Sequence, residues 1–388
     1  MSAKKTLAIV QWGSYRSYPV GGISTFVESM IPHLGRAFDL KLVGMSLGEH
    51  IGRWTKIQVA GDSYDFLPVV SARQSRVIPD RLRLAFAVAK YRKALREVKA
   101  DAYYVHMTEA AAPLLACGGA PVVVHVHGLY NLFRFSRHLL GRPFSKIYEA
   151  LYPYMFSRCS KVLGAGTQAE LDSFCEIMRV RSAALVPTCV REGVFYPRDR
   201  RVARRVVDVR EDQRVLLYVG RMTETKNPEL LLQAAQLLRK RFQNLLFVFV
   251  GDGPLRERVE AEALRTGDIL CTGPLPAGYV ALWMNAADVL TIVSRTEAFT
   301  SIAALEALSC GLPVAATPVS ALPEMIRPGV NGEVSADFSP ESYAAALEKL
   351  LVEPPVRESC IETASPYSSY QVALRVISEL EGVLGAVQ

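Results

Sequence analysis

The sequence has 388 residues, of which 50% are hydrophobic and 21% are charged, and its net charge is +7. This length and composition exclude a single small core and a disordered chain, and they predict two folded domains. Seven scattered cysteines without a Cys-x-x-Cys pair indicate reduced thiols and a cytoplasmic protein, and they argue against structural zinc.

The first half of the chain alternates predicted strands with predicted helices. The elements, in chain order, are a strand at 7–11, a loop at 13–22, a helix at 23–38, a strand at 102–107, a helix from Glu109 and a strand at 122–126. No secretory leader pattern is expected ahead of the first strand. Proline and glycine interrupt the longest apolar stretch, at 110–126, so it does not predict a membrane span.

The positive charge is concentrated in this half, because the first 200 residues carry 27 Lys and Arg against 15 Asp and Glu. One segment, Phe133 to Lys146, interleaves aromatic and cationic side chains. A second cluster consists of Arg73, Arg76, Arg81 and Arg83. Such surfaces attract anionic lipid headgroups or phosphorylated acceptors. The alternative is solvated helix faces with arginine stems packed on apolar neighbours. No nucleic-acid partner is expected, because no binding motif accompanies the charge.

The second half repeats the alternation. Its predicted strands lie at 215–219, 245–250, 269–272, 289–293 and 314–316, and a last helix lies at 369–384. The order predicts an α/β fold with two Rossmann-like parallel sheets covered by helices on both faces. Proline and charge mix at 186–201, as in a linker. We therefore expect domains at 1–195 and 196–365, with 366–388 as a C-terminal helix.

The segment from Ser294 to Ala316 is the most informative about function. An apolar strand runs into a polar turn, a helix opens at Thr300 or Ser301, and a Cys-Gly-Leu-Pro break precedes another strand. A helix N-terminus at the carboxyl edge of a parallel sheet offers free N–H groups to a phosphate. A nearby carboxylate could bind ribose hydroxyls.

Glu306 and the eight residues after it resemble the donor-site signature of the retaining nucleotide-sugar glycosyltransferases called GT4, the glycosyl transferase group 1 family. The resemblance implies the GT-B fold, in which two Rossmann-like domains enclose a cleft, with the last helix crossing back to the first domain. Eight residues separate Glu297 from Glu306, one more than the family pattern. The sequence therefore leaves open whether Glu297 lies in the active site. If it does not, backbone amides at 299–301 would position the sugar.

The loop at 220–229 resembles the diphosphate loop of the same family, with Arg221 and Lys226 facing the leaving diphosphate. The alternative is an ordinary loop in which Asn227 caps a helix that Pro228 enters. The turns around Gly251 and Gly253, and around Pro274 and Leu275, resemble those whose backbone holds the base. Structural turns would use the same residues.

In the first half, the Gly21-Gly22 pair resembles the glycine loop of the family near the donor phosphates, although a plain helix entry explains it as well. His127 matches the histidine that lies close to the transferred sugar, and His125 points to the same face. Without a further Asp, Glu or His nearby, no metal is expected.

The resemblance therefore implies specific roles. The catalytic candidates are His127, Glu297, Arg221 and Lys226. The candidates for binding the nucleotide-sugar are Gly21, Gly22, Arg221, Lys226, Gly251, Gly253, Pro274, Leu275, Phe299, Thr300, Ser301, Ile302 and Glu306. No metal or other cofactor is expected.

The implied activity is retaining transfer of a sugar from a UDP-sugar or GDP-mannose to a lipid-linked or saccharide acceptor, in the synthesis of cell-envelope polysaccharide or glycolipid. It implies front-face substitution without a protein nucleophile, with the basic first domain held at the inner face of a membrane. Two alternatives stay open: a sugar-nucleotide 2-epimerase of the same fold, and a non-catalytic subunit that keeps the scaffold.

Overall fold

The computed structural model describes residues 4–16, 22–72, 77–127, 141–297 and 301–386. The chain forms two compact units. Unit 1 comprises Met1–Thr188 with Ser369–Gln388, and unit 2 comprises Cys189–Ser368. All seven cysteines are free thiols. None of the helices in the described ranges is both long and apolar enough to cross a bilayer.

Unit 1 is built on an eight-stranded sheet with the order β3-β4-β2-β1-β5-β6-β7-β8. Its strands are β1 Thr6–Val10, β2 Asp39–Ser46, β3 Thr55–Val59, β4 Asp62–Ser71, β5 Ala102–Val105, β6 Val122–Val126, β7 Lys161–Gly164 and β8 Ala183–Leu185. β5 and β6 are buried along their whole length, as expected for parallel strands covered on both faces. The sheet departs from the predicted parallel arrangement at its edge, where β3 runs antiparallel to β4.

The helices described between these strands are α1 Gly22–Ala37, α2 Asp80–Lys90, α3 Arg92–Glu97, α4 Ala111–Cys117, α5 Gly141–Phe156 and α6 Gln168–Met178. The start of α6 shows why a helix begins there. Thr167 accepts a hydrogen bond from the backbone N–H of Glu170, and the Glu170 carboxylate accepts one from the Thr167 N–H. This reciprocal capping box satisfies two N–H groups that the first helical turn leaves without partners.

Unit 2 is built on a six-stranded, wholly parallel sheet with the order β11-β10-β9-β12-β13-β14. Its strands are β9 Arg214–Val219, β10 Leu245–Val250, β11 Ile269–Gly273, β12 Val289–Ile292, β13 Val314–Ala316 and β14 Gly332–Val334. Its helices are α7 Arg200–Val206, α8 Pro228–Leu238, α9 Arg256–Thr266, α10 Ala277–Ala286, α11 Ile302–Ser309, α12 Leu322–Met325, α13 Pro340–Val352 and α14 Arg357–Ala364.

The core of unit 2 lies on both faces of this sheet. Alternate residues of β9 belong to different clusters, with Val215 and Leu217 in one cluster and Leu216 and Tyr218 in the other. Successive side chains of a strand point to opposite faces, so both faces are covered by apolar layers. A sheet buried in this way leaves its strand ends as the places where polar chemistry can be exposed.

The chain leaves unit 2 beside the point where it enters, because the Val190 N–H donates to the Tyr367 carbonyl over 2.9 Å. The last helix, α15 Ser369–Gly385, then packs against α1 of unit 1. His33 Nε2 lies 3.3 Å from Ser369 Oγ, and the His33 ring meets the Tyr370 ring edge-on. Lys161 forms an ion pair with Glu379. The C-terminal helix therefore belongs to the first unit.

Each sheet has one point where its strand order reverses. In unit 1 the chain builds outwards from β1 in one direction and from β5 in the other, and in unit 2 it does so from β9 and β12. Ligands of open α/β sheets bind in the crevice at the carboxyl ends of the two strands at such a switch point. The fold thus directs attention to the loops that follow β1, β5, β9 and β12.

Candidate active site

The loops after β9 and β12 meet through a charged pair. Lys226 Nζ lies 2.6 Å from Glu297 Oε1, and Ser294 donates a hydrogen bond to the same carboxylate oxygen, also over 2.6 Å. The Glu297 side chain is only 8% exposed, whereas that of Lys226 is 29% exposed. The two predicted residues are therefore in direct contact at the switch point of unit 2, despite the longer spacing to Glu306.

The backbone also joins these two loops. The Arg295 N–H donates to the Thr225 carbonyl over 2.8 Å, and Ser320 Oγ donates to the Glu297 carbonyl over 2.7 Å. Arg221 is exposed, and its carbonyl accepts a hydrogen bond from the Tyr218 hydroxyl. The loop that carries Lys226 is thus joined to the loop that carries Glu297, while the Arg221 side chain is exposed.

The two glycines of the next loop have a structural reason to be glycine. A Cβ on Gly253 would lie 2.4 Å from the Met222 carbonyl oxygen, and one on Gly251 would lie 2.0 Å from the Gly220 carbonyl oxygen. Both have positive φ, +139° at Gly251 and +153° at Gly253. These glycines let the loop after β10 pack on the loop that carries Arg221. Pro274, which is exposed, and Leu275, which is partly buried, follow β11.

Helix α11 begins next to this pair with an open N-terminus. Ser301 is its N-cap residue but makes no side-chain capping hydrogen bond, and Ile302 is the first helical residue. Among the described residues, the first N–H groups of α11 therefore have no side-chain acceptor of the kind that commonly satisfies them. Asn227, which precedes α8, likewise makes no capping hydrogen bond through its side chain, unlike the capping role considered above.

Glu306 lies on α11, one turn beyond its start, and is partly buried. Burial raises the pKa of its carboxyl to about 8, although the Arg191 guanidinium opposes the shift. The Glu306 carbonyl accepts a hydrogen bond from the Cys310 N–H, but the Glu306 side chain makes no hydrogen bond or ion pair with any residue that the structure describes. An uncharged carboxylic acid both donates and accepts hydrogen bonds, which suits it to hydroxyl groups.

Three predicted residues, Gly21, Phe299 and Thr300, lie outside the described residues. So do Arg73, Arg76 and the segment 133–140 of the predicted basic clusters. Gly22 is the first residue of α1 and is exposed.

The switch point of unit 1 carries a cluster of three imidazoles. His106 follows β5 directly, His125 belongs to β6 and His127 follows β6. Because β5 and β6 pair Val105 with Val124, and because side chains alternate along a strand, all three histidines share one face of the sheet. Phe26 from α1 covers that face, with its ring 4.8 Å from His125 and 5.2 Å from His127 between centroids.

Hydrogen bonds tie this face together. His106 Nδ1 lies 2.9 Å from His127 Nε2, and the Tyr104 hydroxyl lies 2.7 Å from His125 Nδ1. Burial lowers the pKa of all three imidazoles, to about 3 for His127, where the positive charge of Arg81 adds to the effect. The histidines are therefore neutral at physiological pH.

This cluster tests the expectation that no third ligand accompanies His125 and His127, and that expectation is wrong. Possible ligand atoms of His106, His125 and His127 lie within 4.8 Å of one another. However, the rings of His125 and His127 are stacked, 4.4 Å apart with 6° between their planes. Since imidazole binds a metal along a lone pair in its ring plane, two stacked rings do not converge on one ion. A metal-free site stays our prediction.

Arg81 and Arg83, the two described arginines of the second basic cluster, both form ion pairs. Arg81 lies 3.2 Å from both carboxylate oxygens of Glu109, which is 4% exposed, and Arg83 pairs with Asp80 over 2.9 Å. The Arg83 guanidinium also lies over the Trp12 ring. For these two arginines the packed, ion-paired arrangement describes the structure better than a free cationic surface.

Sequence reasoning missed His106, Gln11 and the Arg81–Glu109 pair as parts of the switch point of unit 1. Gln11 follows β1 and is fully buried, and its side-chain amide makes no hydrogen bond within the described residues. The sequence did carry a signal for Gln11 and His106. Each follows directly on a strand, β1 or β5, and a doubly wound strand order places these two strands side by side.

Comparison with known families matches both halves of the chain. The profile described as Glycosyl transferases group 1 matches residues 199–365, and the profile described as Glycosyltransferase Family 4 matches residues 20–192. Together the two matches span most of the chain.

Individual relatives agree with these profiles. The D-inositol 3-phosphate glycosyltransferase of Kribbella flavida is 36% identical over 178 residues, which cover 43% of this chain and 42% of that relative. The match thus spans less than half the length of this curated protein. Sucrose-phosphate synthase from Thermosynechococcus elongatus has a TM-score of 0.77 at 18% identity, covering 99% of this chain and 100% of that chain.

A further solved structure is Anabaena Alr3699/HepE in complex with UDP. It has a TM-score of 0.71 at 17% identity, covering 97% of this chain and 100% of that chain. At such identities a likeness shows the fold, which is the GT-B fold that the sequence predicted.

Proposed function

Because the chain belongs to the glycosyl transferase group 1 family, we propose that it is a retaining glycosyltransferase that takes its sugar from a nucleotide-sugar. The observation that carries the proposal is the Lys226–Glu297 contact at the switch point of unit 2, beside the open N-terminus of α11. This edge combines a cation, a carboxylate and helix N–H groups that no side chain of the described residues caps, which is the chemistry that a sugar diphosphate requires.

The diphosphate leaving group gains negative charge as its bond to the sugar breaks. Lys226 has three N–H donors, of which one is directed to Glu297, so two remain for phosphate oxygens. The exposed guanidinium of Arg221 adds a planar pair of donors. Two cations and the positive end of α11 stabilise this charge without a metal ion.

Glu306 binds the ribose hydroxyls in this proposal. Its raised pKa keeps the acid protonated at neutral pH, so it donates one hydrogen bond and accepts another from the ribose hydroxyls. The backbone around Gly251, Gly253, Pro274 and Leu275 would contact the base.

Glu297 and His127 position the transferred sugar in this proposal. Contacts from Lys226 and Ser294 hold the Glu297 carboxylate in one orientation, which favours a positioning role over proton transfer. The acceptor oxygen bonds to the anomeric carbon on the face from which the phosphate oxygen departs. The acceptor proton passes to that phosphate oxygen, so no protein nucleophile is needed.

The proposed acceptor is a lipid-linked or saccharide hydroxyl, in cell-envelope polysaccharide or glycolipid synthesis. The excess of basic residues in the first half supports peripheral attraction to an anionic membrane. Exposed apolar side chains on α5, Leu151 at 57% and Tyr154 at 64%, support it further. The Kribbella relative is named for a phosphorylated acceptor, D-inositol 3-phosphate, which belongs among the first compounds to test.

The test begins with thermal shifts of the full chain in UDP-, GDP- and ADP-sugars. UDP-sugars come first, since the HepE structure holds UDP. The best binder is then incubated with and without acceptors, and NMR follows the anomeric proton. We expect acceptor-dependent release of the nucleoside diphosphate and a product with the donor's anomeric configuration.

Other outcomes would identify the alternatives. Conversion of the donor alone to its 2-epimer would indicate an epimerase. Donor-dependent stabilisation without turnover on any acceptor would indicate a non-catalytic subunit. If no nucleotide-sugar raises the melting temperature, the proposed donor site is wrong.

A further inference from the structure

The hydrogen bond between His106 and His127 raises the question of which ring carries the shared proton. His106 Nδ1 and His127 Nε2 are 2.9 Å apart, with 27° between the ring planes. Their centroids are 5.2 Å apart, which is the spacing of two rings joined end to end by an in-plane hydrogen bond. Distances between nitrogen atoms do not locate hydrogens, so the tautomer has to follow from the partners of the other nitrogens.

Both imidazoles are neutral, because burial lowers the pKa of each. A neutral imidazole carries one N–H and one lone pair, so the contact has two arrangements. In the first, His106 Nδ1–H donates to His127 Nε2, and His127 carries its own proton on Nδ1. In the second, His127 Nε2–H donates to His106 Nδ1, and His106 carries its proton on Nε2.

His106 Nε2 decides between them. This atom is buried and has no hydrogen-bond partner among the described residues. The first arrangement leaves a bare lone pair there, whereas the second leaves a buried N–H without an acceptor. Among backbone groups, orphaned buried N–H groups are rarer than under-satisfied acceptors, and we apply the same preference to this imidazole. The Tyr104 ring, 4.3 Å away between centroids, offers an N–H only a second-order contact.

We propose that His106 is a positioning residue that holds His127 in the tautomer protonated on Nδ1. His127 is partly exposed, and its Nδ1 makes no hydrogen bond within the described residues. His127 therefore presents a neutral N–H donor to a ligand. It selects an accepting oxygen atom over a donor-only group, such as an ammonium. In the proposed function, on which this consequence rests, that oxygen belongs to the transferred sugar.

Two substitutions distinguish the effect of the His106 N–H donor from the effect of the size of its ring. His106→Asn places an amide N–H close to the position of Nδ1 and can still donate to His127 Nε2. His106→Phe keeps a ring of similar size and removes the donor. Circular dichroism and thermal melting of both variants show whether the unit remains folded.

The direct test is the ring nitrogen chemical shifts of His127 in the full chain labelled with 15N-histidine. The signals are assigned by substituting the six histidines one at a time. Without any ligand we expect a protonated Nδ1 and an unprotonated Nε2 for His127 in the wild type and in His106→Asn. In His106→Phe the proton should redistribute between the two nitrogens. A protonated Nε2 on His127 in the wild type would overturn the proposal.

Transfer kinetics supply the second readout. His106→Phe loses the N–H that donates to His127, so its KM for the nucleotide-sugar should rise roughly three- to tenfold, the effect of one hydrogen bond. The KM of His106→Asn should stay close to that of the wild type. Equal loss in both variants, with both folded, would refute the positioning role. Because the nitrogen shifts are measured without substrate, they test the tautomer even if no glycosyl transfer is found.

Discussion

The two sheets share one topological principle but carry opposite chemistry at their switch points. Unit 2 places a charged pair there, Lys226 with Glu297, beside a helix whose N-terminus lacks a side-chain cap. Unit 1 places neutral, mutually hydrogen-bonded imidazoles and a buried amide there, His106, His127 and Gln11. Strand order decides where a ligand can bind, and the residues after each strand decide its chemical class.

In the proposed function, this difference separates two tasks, stabilising the leaving group and orienting the sugar. In that proposal, the growing negative charge of the leaving diphosphate is stabilised by the cations of Lys226 and Arg221. Orienting a neutral sugar needs hydrogen-bond donors and acceptors in a fixed direction, which buried neutral groups supply at low desolvation cost. Each of the following changes alters one side of this comparison.

The largest expected effect is at the charged edge. Lys226→Ala should lower kcat/KM at least 100-fold, about 2.7 kcal/mol, because the leaving diphosphate loses a charge-assisted donor. Steady-state kinetics with the best donor measures it. Lys240→Ala, an exposed lysine just beyond α8, is the matched control and should behave as wild type. Near-normal turnover by Lys226→Ala would mean that the charged switch point of unit 2 does not stabilise the leaving diphosphate.

Next in size is the loop contact that supports the charged edge. Gly253→Ala should destabilise unit 2 by about 2–4 kcal/mol, because its Cβ would meet the Met222 carbonyl oxygen at 2.4 Å at a φ of +153°. Hydrogen exchange followed by mass spectrometry should show faster exchange in unit 2 only. Gly267→Ala has a φ of +74° but nothing within 4 Å, and should cost about 1 kcal/mol. Equal losses would mean that the approach of the loops is unimportant.

The two units should respond to pH with opposite sign. His106, His125 and His127 of unit 1 have folded pKa values below the ordinary 6.5, so the unfolded chain binds more protons at these three residues as pH falls below 6.5. Unit 1 should lose up to about 1.4 kcal/mol per pH unit for each histidine. Glu306 has a folded pKa of about 8 against an ordinary 4.5, so the folded state binds the extra proton. Its contribution to unit 2 should therefore be lost as pH rises from 4.5 to 8.

Hydrogen exchange between pH 5 and 8, corrected for intrinsic exchange rates, measures both slopes. His125→Phe should reduce the acid sensitivity of unit 1, and Glu306→Gln should remove the opposing contribution in unit 2. If stability changed with pH in the same direction in both units, the histidines of the cluster and Glu306 would not be the buried neutral groups described above.

The smallest effects should be equal in the two units. Thr167→Ala removes the cap of α6 in unit 1, and Asp199→Ala removes the cap of α7 in unit 2, where Asp199 accepts from the Val202 N–H over 2.9 Å. Each should cost about 1 kcal/mol by denaturant titration and leave transfer unchanged. A loss of activity from either would place these helices in the site, contrary to the assignment of the site to the switch points.

Hydrophobic patterning was sufficient for much of the scaffold. The predicted strands at 122–126, 245–250 and 314–316 coincide with β6, β10 and β13, and the helix predicted at 369–384 coincides with α15 to within one residue. These segments are long or strongly apolar, so burial alone specifies them. The antiparallel strand β3 at the sheet edge was not predicted. Alternating buried and exposed residues do not show whether a strand runs parallel or antiparallel to its neighbour.

The sequence by itself determined the α/β alternation, the family, and the identity of Lys226, Glu297 and His127 as candidates, since these depend on local order along the chain. Only the tertiary structure decided that Glu297 meets Lys226 despite its irregular spacing to Glu306, and that His106 joins His127. The partners in these contacts are 71 and 21 residues apart. Their meeting depends on strand order and register, which no local pattern encodes.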